Sequence, residues 1–157
     1  MARVCLVGSE DCNLRYELLS RETAREALAT YDIREPFANA LAVETVSLGA
    51  AVALCNDLNW YLVRFTDAAM VLEPSVSETE WLSRSLATAM RDDAVDEDER
   101  DRFLKVYGVE ESEDDDAEPR LVEPMLVTRT GDSIPEYDLR AVDETVVVRV
   151  SRDEFGA

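Results

Sequence analysis

An α+β fold is what this sequence predicts, with a mixed, partly antiparallel sheet of about five to six strands and about three to four helices largely on one face. Three observations carry that expectation. Two strand-like runs, Trp60–Thr66 and Ala69–Glu73, are separated only by Asp67 and Ala68, which is the spacing of a hairpin. Ser77, with Glu80 three residues on, forms a capping box ahead of a stripe of Trp81, Leu82, Ser85, Leu86 and Ala89. That pattern predicts a helix over 78–91. Helix-like and strand-like segments are irregularly interleaved elsewhere, and a hairpin argues against purely parallel winding.

Val4–Gly8 is an apolar run closed by glycine and reads as the first strand. Residues 13–31 carry Tyr16, Leu19, Thr23, Ala27 and Tyr31 at helical spacing. Leu14, Tyr16 and Leu18 also alternate, so 13–19 reads either as helix or as a second strand paired with the first. Residues 32–40, with Pro36 and Asn39, form a connection. Leu41–Val46 is a short strand, and Ser47 caps an alanine-rich helix from Leu48 to about Leu58. After the hairpin, Pro74 removes a ladder donor and ends its second strand. Asp96 would cap a further helix ending at Tyr107, with Gly108 as its left-handed stop and Phe103, Leu104, Val106 and Tyr107 as its apolar side. Residues 110–118 are almost all acidic and read as a mobile loop. Leu121–Thr130 and Thr145–Ser151 are the last two strands, with an irregular segment over 131–138 between them. A chain of 157 residues makes one domain with a sizeable core, spanning 1–157.

The balance of 16 basic against 35 acidic residues gives a net charge of −19, while 46% of the chain is hydrophobic. A chain that apolar folds rather than remaining an acidic tail. Lys105 is the only lysine, every other basic residue is arginine, and histidine is absent. In this respect the chain resembles the proteome of salt-in halophilic archaea. As a whole it is similar to small haloarchaeal proteins of a family of unknown function. That resemblance implies a protein kept soluble in molar salt by its hydrated carboxylates; it carries no activity and no site residue. In such a proteome nucleic-acid-binding proteins are acidic too, so the net charge says little about partners.

Cys5, Cys12 and Cys55 cannot all pair, and no apolar segment precedes them. The expectation is a cytoplasmic location, reduced thiols packed as small apolar groups, and no membrane span. Zinc is not expected without histidine or a C-x-x-C pair, and no cofactor is implied.

Four groups of residues bear on function. Arg3, Arg64, Arg129 and Arg149 each sit inside an apolar run, and as neighbours on one sheet face they would bind an anion or a nucleic acid. Ordinary cross-strand pairing with glutamate is the competing reading. Gly8–Asp11 would present amides to an anion at a strand-to-helix junction, although Glu10 and Asp11 oppose that role. The segment around Gly131–Asp138 gathers Arg129, Asp132, Ser133, Glu136, Tyr137, Asp138 and Arg140. A serine nucleophile there lacks a base, since histidine is absent and Lys105 reads as a surface residue of a short helix. Finally, Trp60 and Tyr61 point to opposite faces if they lie on a strand, leaving one to anchor a protein partner or a second copy. The reading is therefore a non-enzymatic interaction or regulatory domain. The alternative is an anion- or nucleic-acid-binding domain using the strand arginines. A carboxylate enzyme using a divalent metal is the less favoured third.

Overall fold

The structure is a computed structural model that describes residues 1–113 and 117–156. Its class is α+β. Seven strands form one mixed sheet, and six short α-helices are present among the described residues. Both numbers exceed the expectation from sequence, because several apolar runs that look like one kind of element are another.

The first third follows its local signals. β1 (Ala2–Gly8) leads to α1 (Leu14–Leu19), whose first turn is capped by the Asn13 side chain accepting from the Tyr16 amide at 3.1 Å. A break at Ser20–Arg21 separates α1 from α2 (Glu22–Leu28), so of residues 13–19 Asn13 is a cap and the rest are helix and not strand. β2 (Ala40–Thr45) pairs antiparallel with β1, and Ser47 caps α3 (Leu48–Asp57) by accepting from the Ala50 amide at 3.1 Å.

The middle third departs from its pattern. Asn59–Phe65 is a helix, α4, and only β3 (Thr66–Leu72) is a strand, so the expected hairpin does not exist. Aromatic and β-branched residues favour strands only when a pleated surface is available. Here Leu62 is buried, with Tyr61 and Phe65 packed against the same core, a helical spacing that tertiary burial rewards. The helix expected over 78–91 is likewise divided. Ser77 does accept from the Thr79 and Glu80 amides, at 3.3 and 3.0 Å, yet the chain then enters β4 (Trp81–Ser83). The true cap is Ser83, which accepts from the Leu86 amide at 3.1 Å and starts α5 (Arg84–Arg91).

The helix expected from Asp96 to Tyr107 is one 3-10 turn over Glu97–Glu99 followed by β5 (Phe103–Glu110). Phe103–Val109 is apolar apart from Lys105 and Gly108, and so short an apolar run cannot be assigned by period alone. Gly108 is accordingly not a helix stop. It lies at an irregularity in the β5–β6 register, where an added Cβ would come within 2.8 Å of the Tyr137 ring. The acidic stretch 110–118 begins with the last residue of β5, and part of it, 114–116, lies outside the described residues. β6 (Arg120–Thr128), β7 (Glu144–Arg149) and α6 (Arg152–Phe155) complete the chain, α6 being absent from the sequence expectation.

The strand order is β2-β1-β3-β4-β7-β5-β6, antiparallel throughout except for the parallel β4–β7 pair that joins the two halves. Successive residues of each strand face opposite sides. On one side Val4, Leu6, Val43, Val71 and Leu82 form a core with Leu14, Leu18, Val52, Leu58, Leu62 and Leu86 from α1 to α5. On the other side Cys5, Ala40, Ala42, Met70, Phe103, Tyr107, Val148 and Val150 form a second, smaller core. Residues from both edge strands join it, because the sheet curls. The two edges meet where the Ala38 amide donates to the Pro119 carbonyl at 2.8 Å. α6 lies on this side, Phe155 packing on Phe103 with ring centres 5.0 Å apart.

Candidate functional site

The concave face does not fill completely. At one end it opens into a cleft of about 780 Å³, lined by Val7 and Gly8 of β1, Asp67 and Ala68 of β3, Lys105 and Tyr107 of β5, and residues 120–124 of β6. A cleft of this size suits a small molecule. Lys105, Tyr107, Asp67 and Ala68 also line an adjoining cleft of about 240 Å³. Alternation along β5 aims Phe103, Lys105 and Tyr107 inward together. The Lys105 ammonium lies 5.4 Å from the centre of the Tyr107 ring. Among the described residues no carboxylate pairs with it.

The other cations of the cleft are engaged. Arg120 pairs with Glu110 at 3.1 Å, and Arg140 bridges Glu110 at 3.2 Å and Glu123 at 3.1 Å. The Glu123 side chain, which hydrogen-bonds Arg140, holds that guanidinium charged more firmly than usual. Glu10 and Asp67, both exposed, supply the opposing charge at the mouth. Tyr137 braces the β6 wall: its hydroxyl donates to the Glu123 carbonyl at 2.7 Å while its ring covers Gly108. This is what the Gly131–Asp138 segment contributes.

The four strand arginines do not gather on one face. Arg129 and Arg149 converge on Glu80, Arg149 donating to it at 2.8 Å and Arg129 also bonded to it. All three side chains are largely buried on the helical side of the sheet. Burial pushes the Glu80 carboxyl up, but the hydrogen bonds from Arg129 and Arg149 outweigh it and hold the pKa below the ordinary carboxylate range. Arg3 pairs with Glu44 at 3.1 Å across the β1–β2 ladder. Arg64 is on α4, where its guanidinium lies 3.9 Å over the Trp60 ring and donates to the Trp60 carbonyl at 2.9 Å.

Trp60 and Tyr61 stand on that same helix, so the strand alternation expected of them does not apply. Tyr61 packs against the helical core, whereas Trp60 is 47% exposed and its neighbour Val63 69% exposed. Arg21 of the α1–α2 junction reaches the same place, 5.5 Å from the Trp60 ring centre and 5.3 Å from that of Phe65. An exposed indole is thus flanked by two guanidinium groups.

The Gly8–Asp11 turn is occupied by its own chain. The Gly8 amide donates to the Asn39 carbonyl at 2.8 Å and the Ser9 amide to the Phe65 carbonyl at 2.9 Å. Asn39, at a φ of 56°, clamps the turn: its side-chain nitrogen donates to the Ser9 and Cys12 carbonyls, and its oxygen accepts from the Leu14 amide at 2.8 Å. The approach is so close that a Cβ on Gly8 would lie 2.5 Å from the Asn39 nitrogen. All three cysteines are free. Burial pushes the Cys5 thiol up to about 12 and that of Cys55 up to about 11, while Cys12 is partly exposed and hydrogen-bonds the Phe65 carbonyl.

Sequence reasoning missed the cleft because it placed Lys105 on a helix surface. No local signal gave it away: Leu104 and Val106 are as apolar as Phe103 and Tyr107, so no polar–apolar alternation marks the strand. Among the described residues no helix is long and apolar enough to cross a membrane. No curated protein and no experimentally solved structure shows a significant match to the chain. A family match does exist, over residues 2–109, and it takes in β1 to β5, with Lys105 and Tyr107 of the cleft and Trp60 of α4, and stops short of β6 and β7. Because it spans well over half of the 157 residues, the chain belongs to the family of unknown function DUF5804.

Proposed function

We propose that this protein is a non-enzymatic interaction domain of a high-salt cytoplasm, which docks an acidic segment of a partner protein on α4. The observation that carries the reading is the Trp60 patch. A large aromatic left half exposed, next to an exposed valine, is the composition of a binding hot spot rather than of an idle surface. Arg64 makes no ion pair among the described residues and is already ordered over the indole, so it can meet a carboxylate with little further loss of rotamer freedom. The Arg64 guanidinium on an apolar patch of a chain with net charge −19 favours an acidic partner, Arg21 beside it being already paired with Glu17 at 3.1 Å.

The test is capture from a lysate held at molar KCl, with the eluate examined by mass spectrometry for protein and by absorbance for nucleic acid. The expected result is one stoichiometric protein that Trp60→Ser with Arg64→Ser loses and Lys105→Met keeps. An empty, monomeric eluate would overturn the proposal, as would a partner retained by the double variant. Nucleic acid in the eluate, lost on Arg64→Ser with Arg129→Ser, would favour a nucleic-acid-binding role instead.

A further inference from the structure

We infer that the concave cleft is a second, separate site, which binds a small molecule with a flat apolar body and one anionic group, carboxylate or phosphate. The inference stands on a coincidence of shape, wall chemistry and charge. The cleft of about 780 Å³ is within the range of ligand pockets and opens where a curled sheet ends, a place ligands commonly enter. Its walls give apolar surface from Val7, Ala68, Leu121, Val122 and Pro124, and Tyr107 supplies an aromatic floor.

Charge decides the ligand's class. Arg120, Arg140, Glu110 and Glu123 neutralise one another at the rim, so they contribute little net attraction. Glu10 and Asp67 face solvent at the mouth, where their repulsion is screened. Lys105 is set inward from them on the middle of β5, only partly exposed, beside an aromatic ring and with no carboxylate in ion-pair range among the described residues, Asp67 and Glu154 sharing the adjoining cleft with it at a greater distance. A partly desolvated ammonium without a counter-ion stabilises an incoming anion more than a solvated one does. The single lysine of an arginine-rich chain also fits the geometry. A compact ammonium on a flexible stem can follow one ligand oxygen.

The experiment uses a charged and an uncharged fluorescent probe of nearly the same shape, 8-anilino-1-naphthalenesulfonate and N-phenyl-1-naphthylamine, titrated into the full chain. Wild type is expected to bind both at one site. Lys105→Met should weaken the sulfonate about tenfold and leave the neutral amine unchanged, and Lys105→Arg should restore most of the loss. Circular dichroism of each variant checks that the fold is kept. Competition by phenyl phosphate or by benzoate then tells a phosphate ligand from a carboxylate. Equal weakening of both probes by Lys105→Met would overturn the inference. So would no change in sulfonate binding, or failure of both anions to compete.

Discussion

On one side of the sheet, Val4, Val43, Val71 and Leu82 lie beneath five helices; on the other, Cys5, Ala42, Met70, Tyr107 and Val148 meet across the curl of the sheet itself, with only the four-residue α6 at one end. Helices bring long side chains from several directions and can fill the space above a flat row. A curling sheet brings short strand residues toward a common axis, and their reach falls short where the strands end. The cleft beside Lys105 is that shortfall. The contrast explains why the helical side carries stability while the concave side is open to a ligand.

Glu80 gives the sharpest way to break this arrangement, since it holds Arg129 and Arg149 on the helical side next to the β4–β7 seam. Glu80→Gln leaves two largely buried guanidinium groups without a counter-charge and is expected to cost about 2–4 kcal/mol in urea denaturation. Its pH dependence follows from the depressed pKa. The wild-type contribution is full above the ordinary carboxylate range and is lost as pH falls through the lower folded value. The gap between wild type and variant should therefore be widest near neutrality and close below about pH 4. A gap independent of pH would mean that the loss is one of packing.

A matched pair of substitutions sharpens the comparison. Val71→Ala, beneath the helices, is expected to cost about 2–3 kcal/mol, because the surroundings are fixed on every side. Val148→Ala, which borders the smaller cleft, should cost about 1–2 kcal/mol, since the site can relax or admit water. Equal losses would show that the two faces are equally enclosed. The smallest effect concerns the thiols. Native protein should react with a thiol reagent at Cys12 alone, and unfolded protein at all three cysteines. Early reaction at Cys5 would show that the concave core opens, and early reaction at Cys55 would show the same for the helical one.

What the sequence made legible divides along similar lines. β1, β2, the cap at Ser47 and helix α3 are written locally, in a serine that accepts an amide and in runs whose period matches their burial. Residues 59–110 are written in contacts made elsewhere. Trp60–Phe65 is strand-like by composition but helical because Leu62 and Phe65 find a core under α1 and α3. Phe103–Glu110 looks helical until β6 and β7, supplied later in the chain, flank it as a strand. The same cause hid the site. Lys105 becomes an inward-facing cation only when β5 is a strand, whereas the expectation that one of Trp60 and Tyr61 is left exposed rested on a strand alternation the fold does not use. Ser77 shows the limit of a local motif: its hydrogen bonds form, yet Glu80 is taken by arginines from β7 and the end of β6, and the chain continues as a strand.

The place of β7 between β4 and β5 has a consequence for how this protein is made. β5 has no sheet neighbour other than β6 and β7, and β7 is the last strand in the chain. During synthesis the strands β2, β1, β3 and β4 can assemble with their helices as they emerge, while β5 can pair with β6 on one edge and waits with the other edge open. Only when residues 144–149 arrive does a parallel pairing, spanning more than sixty residues of sequence, unite the halves. Closure is therefore a late event, and until it happens the apolar strand that carries Lys105 is exposed to other chains.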